Sequence, residues 1–186
     1  MVATVTTTKA SACSVPTPIV QNGGFENRLL VPWQASTYNG QEYSFEQLSY
    51  GLASPGYGGS KQRFYVNDTL ASSYNEVDLT QSLTVCPGAK YKFTAKYYLT
   101  DPGDQPSKIK RQLPPGTKQV YLEVAVDDKV IAASKQSDAL GPPIVWKTFS
   151  STFTATSSTA LLKVRFYATD FLSVEWGLDN VAVAPA

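Results

Sequence analysis

The chain has 186 residues, with 16 Lys and Arg against 15 Asp and Glu, a formal net charge of +1 and no histidine. Its length suits one β-sandwich domain, and the small net charge argues against nucleic acid, whose binding needs clustered cations. The lack of histidine excludes Ser-His and Cys-His nucleophile pairs and the usual catalytic zinc ligands. We therefore expect a non-catalytic domain, although a glycosidase that uses two carboxylates stays open.

The chain begins with a segment rich in Thr, Ser and Ala. Residues 1–14 hold too little apolar surface to join a core, so we predict a linker or stalk end there and one domain over 15–186. Such a flank suggests a larger, O-glycosylated parent protein in which the domain is monomeric. The N-terminus lacks a signal-peptide pattern, and Met1 is expected to be an expression start on an excised mature segment.

Cys13 and Cys86 are the two cysteines of the chain. Without a C-x-x-C motif they leave two alternatives, a disulfide or two buried thiols. We favour the disulfide because Asn67-Asp68-Thr69 is a glycosylation sequon and the chain has the features of a secreted or cell-surface protein. No apolar run approaches the roughly 20 residues that cross a bilayer, so no membrane insertion is expected.

About ten segments alternate apolar and polar residues between clusters of Gly, Pro, Asn and Asp, a pattern typical of antiparallel sandwiches. No helix longer than one turn is expected, and Trp33, Trp146 and Trp176 are predicted core residues. The predicted strands are 18–25, 41–49, 62–67, 76–85, 90–99, 118–127, a short strand near residue 130, 145–155, 159–168 and 173–183.

Two long loops separate these strands. Residues 50–61 contain Gly56, Gly58 and Gly59, and residues 101–117 contain four prolines and the basic run 108–111. Long loops on a sandwich often carry function. The alternative is a solvated insertion without a role.

Three motifs appear in order along the chain. Residues 21–26 are QNGGFE, followed by Pro32-Trp33; residues 85–93 are VCPGAKYKF; and residues 177–181 are GLDNV. Together they resemble carbohydrate-binding modules of the family 4, 9 and 22 type, especially relatives in fungal secreted and adhesin-like cell-wall proteins. The resemblance implies a jelly-roll β-sandwich of two antiparallel sheets (galactose-binding-like), binding without catalysis, and a structural calcium ion.

Polar and aromatic side chains occupy the outward phase of three predicted strands. We expect Tyr98, Tyr121 and Tyr167 to project from one sheet face, where their rings would stack on the apolar faces of sugars. Charged neighbours would hydrogen-bond the hydroxyl groups. The alternative is ordinary cross-strand pairing on a solvated face. The candidate ligand-binding residues are Lys96, Tyr98, Tyr121, Glu123, Arg165 and Tyr167.

For calcium, the resemblance carries over to Glu26 and Asp179, on the first and last predicted strands, which pair in these modules. Calcium prefers carboxylate and backbone oxygens. We expect the two carboxylates to lie together beside a buried, oxygen-lined site. The alternatives are a turn or backbone contact at Asp179 and an ion pair between Glu26 and Arg28.

The leading hypothesis is thus an extracellular module that binds a carbohydrate or cell-wall polysaccharide. The second hypothesis is a fungal adhesin domain that binds a host or partner surface, which the Thr-rich flank favours. The third is the carboxylate-pair glycosidase.

Overall fold

A computed structural model describes residues 13–39, 48–68, 75–100, 120–134, 144–168 and 174–186. Within these ranges one short 3-10 turn lies at Tyr57–Gly59, and no helix is long and apolar enough to cross a membrane. The strands are β1 (Gln34–Asn39), β2 (Leu48–Ala53), β3 (Arg63–Asp68), β4 (Asn75–Thr84), β5 (Lys90–Thr100), β6 (Val120–Val126), β7 (Lys129–Ala133), β8 (Lys147–Thr154), β9 (Thr159–Ala168) and β10 (Val174–Pro185).

The strands form two antiparallel five-stranded sheets. The first sheet has the order β1-β4-β9-β6-β7 and the second the order β2-β3-β10-β5-β8. Their inner faces share one core, in which the Phe166 ring lies 5.6 Å from Phe64 and 6.3 Å from Trp176, centroid to centroid. The all-β sandwich of two antiparallel sheets is confirmed.

Alternation of side chains explains the best-predicted strands. In β5 every second residue from Tyr91 to Leu99 is buried, and in β9 the same holds from Ala160 to Ala168. A strand points successive side chains to opposite faces, so this period places one set in the core. Trp176, at 1% exposure, lies in that core between Val174 and Leu178, as predicted.

The N-terminal segment joins the core without pairing as a strand. The strand predicted at 18–25 is wrong: these residues form bends and turns. Ile19, Val20 and Phe25 are nevertheless buried, and a single backbone hydrogen bond, from the Val181 N–H to the Gly23 carbonyl (2.8 Å), fastens the segment to β10. In the described residues, the predicted pairing of first and last strands is therefore replaced by one backbone hydrogen bond.

The first strand is instead β1, Gln34–Asn39, which was not predicted. Trp33, directly before it, is buried in the core as expected. The predicted loop at 50–61 is shorter, because β2 runs to Ala53. The predicted strand at 41–49 lies mostly outside the described residues, as do the loop at 101–117 and most of the flank at 1–14.

A disulfide joins Cys13 to Cys86, with an S–S distance of 1.99 Å and a Cα–Cα distance of 5.7 Å. It fastens the start of the described chain to the turn between β4 and β5. The disulfide alternative of the sequence analysis is therefore the one present.

Candidate functional site

A row of aromatic and acidic side chains crosses the outer face of the first sheet. The strand register aligns Tyr38 of β1 with Glu76 of β4, Glu76 with Tyr167 of β9, and Tyr167 with Tyr121 of β6. The Tyr121 and Tyr167 rings stack, with centroids 4.5 Å apart and planes at 28°, while Tyr38 is 60% exposed. With strands about 4.8 Å apart, the row extends about 14 Å.

A second row, two residues along each strand, is polar and charged. It aligns Ser36, Asp78, Arg165 and Glu123 across the same four strands. The Arg165 guanidinium contacts three carboxylates, because its Nε lies 3.0 Å from Glu76 Oε1 and 3.1 Å from Asp78 Oδ1, and its Nη1 lies 3.7 Å from Glu123 Oε1. We call the two rows, Ser36 included, the binding platform.

The electrostatics of the platform keep its arginine charged and one phenol protonated. Burial by itself would lower the pKa of Arg165, but the carboxylates of Asp78, Glu76 and Glu123 outweigh it and raise that pKa. Burial, followed by the charge of Glu123, raises the pKa of Tyr121 to about 12. The platform therefore offers a phenol O–H donor, carboxylate acceptors and guanidinium donors in one place.

The expectation that Tyr98 shares a face with Tyr121 and Tyr167 is wrong, because Tyr98 and Lys96 belong to β5 in the second sheet. Tyr98 does point outward from its sheet, yet it is only 1% exposed. Its hydroxyl accepts a hydrogen bond from Arg63 Nε (2.8 Å) and donates one to Glu175. Alternation gives the face of a strand within its own sheet, but it does not say which sheet holds the strand.

The prediction that Trp146 lies in the core is also wrong, because this residue is half-buried on the outer face of the second sheet. Its ring makes edge contacts with Tyr98 (centroids 4.8 Å apart) and with Tyr57 (5.6 Å). Lys96 Nζ lies 4.6 Å from the Tyr57 ring centroid and 2.8 Å from Thr148 Oγ1. Lys96 and Tyr98 therefore belong to a packed aromatic cluster on the face opposite the platform.

The sequence predicts four of the platform residues, Tyr121, Glu123, Arg165 and Tyr167, and the structure brings these four together. The other four, Ser36, Tyr38, Glu76 and Asp78, were not predicted. Asp78 and Glu76, the latter only 8% exposed, alternate with the core residues Val77 and Leu79, so their outward position could have been found from the sequence. Tyr38 lies on the edge strand β1, whose residues do not alternate between apolar and polar, so the sequence did not indicate its position.

Glu26 and Asp179 both contact the segment that connects β2 to β3. Glu26 Oε1 accepts hydrogen bonds from Ser60 Oγ (2.5 Å) and the Lys61 N–H (2.8 Å). Asp179 Oδ2 accepts one from the Tyr57 N–H (2.7 Å), and its Oδ1 accepts one from the Asn180 N–H (2.7 Å). Ser60 and its neighbours therefore lie between carboxylates that come from the two ends of the chain.

The two carboxylates differ in how their surroundings shift their pKa values. Burial raises the pKa of Asp179, and the nearby charge of Glu26 acts in the same direction. Hydrogen bonds to the carboxylate oppose this, but the net effect is a raised pKa. The Ser60 hydroxyl and the Lys61 and Gln62 N–H groups lower the pKa of Glu26. In the described ranges no group of three or more Cys, Asp or Glu could hold a metal, so further ligands would have to be hydroxyl or backbone oxygens, which calcium accepts.

Comparison with solved structures identifies proteins that share the fold of this chain. TmCBM61 in complex with β-1,4-galactotriose is 14% identical, with a TM-score of 0.57, and the match covers 91% of this chain and 99% of that one. The CBM22-1 xylan-binding domain of Paenibacillus barcinonensis Xyn10C is 15% identical, with a TM-score of 0.52, over 94% and 97% of the two chains. The Clostridium thermocellum Xyn10B CBM22-1-GH10 modules with xylohexaose are 14% identical (TM-score 0.52), over 90% of this chain and 28% of that longer one.

No family model matches the chain, and no curated protein matches it either. At identities of 14–15% the three structural matches bear on the fold alone. The chain has the β-sandwich fold of these carbohydrate-binding modules.

Proposed function

We propose that this chain is a non-catalytic extracellular module that binds a carbohydrate through the binding platform. The observation that carries the proposal is the aligned row of Tyr38, Glu76, Tyr167 and Tyr121 across four strands. Extracellular location is supported by the Cys13–Cys86 disulfide, since such bonds persist in oxidising compartments.

The chemistry of the platform suits a sugar chain. Flat rings contribute contact area at low conformational cost and pack on the apolar C–H faces of sugar rings. The carboxylates and the Arg165 guanidinium can form charge-assisted hydrogen bonds to hydroxyl groups. A row of about 14 Å is long enough to contact consecutive sugar units, and two of the matched modules were solved with β-1,4-galactotriose and with xylohexaose.

Binding without hydrolysis is favoured by the way the platform acids are held. Glu76, Asp78 and Glu123 all lie against the Arg165 guanidinium. A glycosidase needs one carboxyl group that holds a proton and donates it to the leaving oxygen. On this platform the carboxylate oxygens instead face the N–H donors of Arg165, which is the arrangement of a hydrogen-bonding surface.

The test is retention on insoluble polysaccharides, including xylan and β-1,4-galactan, together with a glycan array. Tyr121→Ala and Tyr167→Ala should each weaken binding about 2- to 10-fold, since an aromatic contact contributes about 0.5–1.5 kcal/mol. Tyr65→Ala is the matched control, because Tyr65 is a half-buried tyrosine on the outer face of the second sheet. No retention on any sugar, or equal loss in the control, would reject the platform.

A fungal adhesin domain that binds a host or partner surface is the second candidate function. The Thr- and Ser-rich residues 1–14 support it, because a glycosylated stalk has this composition. The same glycan array separates the two: host-type oligosaccharides as the best ligands would favour adhesion, and wall polysaccharides would favour the module.

We also propose that a calcium ion binds beside Glu26 and Asp179. Two carboxylates that face the same segment repel each other, and an intervening cation removes this cost. Calcium should then raise the melting temperature with the logarithm of its concentration above the dissociation constant. Because the pKa of Asp179 is raised and its protonation relieves the same repulsion, the difference between calcium and chelator should shrink as the pH is lowered. Melting that is insensitive to chelator at neutral pH would contradict the site.

A further inference from the structure

We propose that Asn67 carries an N-linked glycan whose first sugar packs on the Tyr65 ring and covers the outer face of the second sheet. The inference does not depend on the proposed function, because it concerns the face opposite the binding platform.

The position of Asn67 in β3 makes it available for modification. Arg63, Tyr65 and Asn67 are half-buried and alternate with the buried Phe64, Val66 and Asp68. Asn67 therefore points outward, and its sequence neighbours complete the sequon Asn67-Asp68-Thr69. An outward asparagine in a sequon provides the amide nitrogen to which a glycan is attached.

Tyr65 is placed to receive the first sugar. It precedes Asn67 by two residues, so both side chains lie on one face of the strand. Its cross-strand neighbours are Gly51 on β2 and Gly177 on β10. The Tyr98 ring occupies the space above Gly177, whereas Gly51 has no side chain beside the Tyr65 ring. A Cβ added at Gly51 would lie 3.6 Å from Tyr65 Cε1, so the ring lies close above that glycine. A sugar attached at Asn67 can pack its C–H face on this ring.

An unsatisfied polar atom points to the same place. Within the described part of the chain, Asn67 Oδ1 is buried and has no hydrogen-bond partner. Buried acceptors in native structures are nearly always paired, and an orphan requires an explanation. Asn67 lies between Ser49 and Glu175 in register, and neither is bonded to this oxygen. The hydroxyl and acetamido groups of an attached sugar would bring donors next to it.

The glycan would make the two outer faces unequal. Beside Asn67, the Arg63–Tyr98–Glu175 hydrogen bonds and the Trp146 contact already fill part of the second sheet's outer face. A glycan over Tyr65 would cover the adjacent part. The first sheet's face, with its stacked tyrosines, would remain the accessible one.

The first experiment measures occupancy. The full chain is secreted from a eukaryotic host, and its Asn67 peptide is examined by mass spectrometry. We expect a glycopeptide that persists in Thr69→Ser, which keeps the sequon, and disappears in Thr69→Ala. A wild-type secreted protein in which the Asn67 peptide is unmodified overturns the proposal.

The second experiment tests the contact with Tyr65. Endoglycosidase H leaves one sugar on Asn67, whereas peptide-N-glycosidase would convert Asn67 to Asp beside Glu175 and confuse the comparison. The trimmed protein should have the same melting temperature as the fully glycosylated protein, and the Thr69→Ala variant should have a melting temperature several degrees lower. Tyr65→Phe should keep this difference, and Tyr65→Val should abolish it.

The readout is the change in melting temperature caused by Thr69→Ala within each Tyr65 background, so a general loss of stability cancels. Tyr65→Leu replaces Tyr65→Val if the latter is not secreted. A difference of the same size in the Phe, Val and Leu backgrounds would show that the sugar does not use the ring and would reject the contact.

Discussion

Gly177, the first residue of the GLDNV motif, provides the sharpest test of the packing on the second sheet. A Cβ built on Gly177 would lie 1.9 Å from Tyr98 Cε1 and 2.5 Å from Cζ. Carbon atoms in contact are normally about 3.5–4.0 Å apart, so Gly177→Ala requires the Tyr98 ring to move. The ring is held by Arg63, Glu175 and the edge of Trp146, and any displacement strains or breaks these contacts.

The expected cost of Gly177→Ala combines two effects. Overpacking costs about 1–3 kcal/mol, and loss of a hydrogen bond to a charged group costs about 1.5–3 kcal/mol. A total of about 2.5–6 kcal/mol corresponds to a fall of about 5–24 °C in melting temperature for a chain of this length. Ligand binding by the folded protein should be unchanged, because the platform lies on the other sheet.

Tyr98→Ala is the background that separates this mechanism from a general effect of alanine in β10. With the ring removed, Gly177→Ala should be neutral or slightly stabilising, because it lowers the entropy of the unfolded chain. The assay is chemical unfolding of the two single variants and the double variant. An equal loss of stability with and without the Tyr98 ring would refute the reasoning.

Three further predictions concern the disulfide, the tyrosines and the platform ion pairs. The Cys13→Ser/Cys86→Ser variant opens a loop with a sequence separation of 73 and should lose about 4 kcal/mol in the chain-entropy model, measured by unfolding under oxidising conditions; an unchanged midpoint would contradict it. Burial raises the pKa values of Tyr98 and Tyr121 above the ordinary 10.0, the latter to about 12; stability should therefore be retained below pH 10 and lost as the pH rises toward 12, with late tyrosinate absorbance that decreases in Tyr98→Phe and Tyr121→Phe. Arg165→Met leaves Glu76, Asp78 and Glu123 without their shared cation and should lower the melting temperature, less so at high salt; a salt-independent loss would indicate a packing effect.

The sequence predicted the sandwich because its central strands are strictly alternating. In β5 and β9 every position on the inner face carries an apolar side chain. A shift of one residue would expose all of these side chains, so only one register buries them. The segment 18–25 was wrongly predicted as a strand because its apolar residues Ile19, Val20 and Phe25 are also buried. Burial of side chains does not require a hydrogen-bonded ladder, and Pro18, Gly23 and Gly24 favour turns over pairing.

The candidate site was predictable only in part, because it depends on which strands become neighbours. Tyr98, Tyr121 and Tyr167 have the same local pattern, yet β5 pairs with β10 and β8 while β6 and β9 pair with each other. That partition is decided by long-range packing and is not encoded in any one segment. Trp146 shows the same limit, since its large apolar ring is half-buried by Tyr57 and Tyr98 on an outer face.

The attachment of both ends of the described chain to the β4–β5 turn has a mechanical consequence. Cys13 is bonded to Cys86, and the Ala186 N–H donates to the Lys90 carbonyl (3.0 Å), four residues further on. A pulling force applied between residues 13 and 186 would thus enter and leave the sandwich at neighbouring points. Glu76 lies at the far end of β4 from this turn, eight residues before Thr84, or roughly 27 Å along the strand. Tension between these two residues would load the Cys13–Cys86 disulfide and the β5–β10 ladder first, and the platform would lie outside that path.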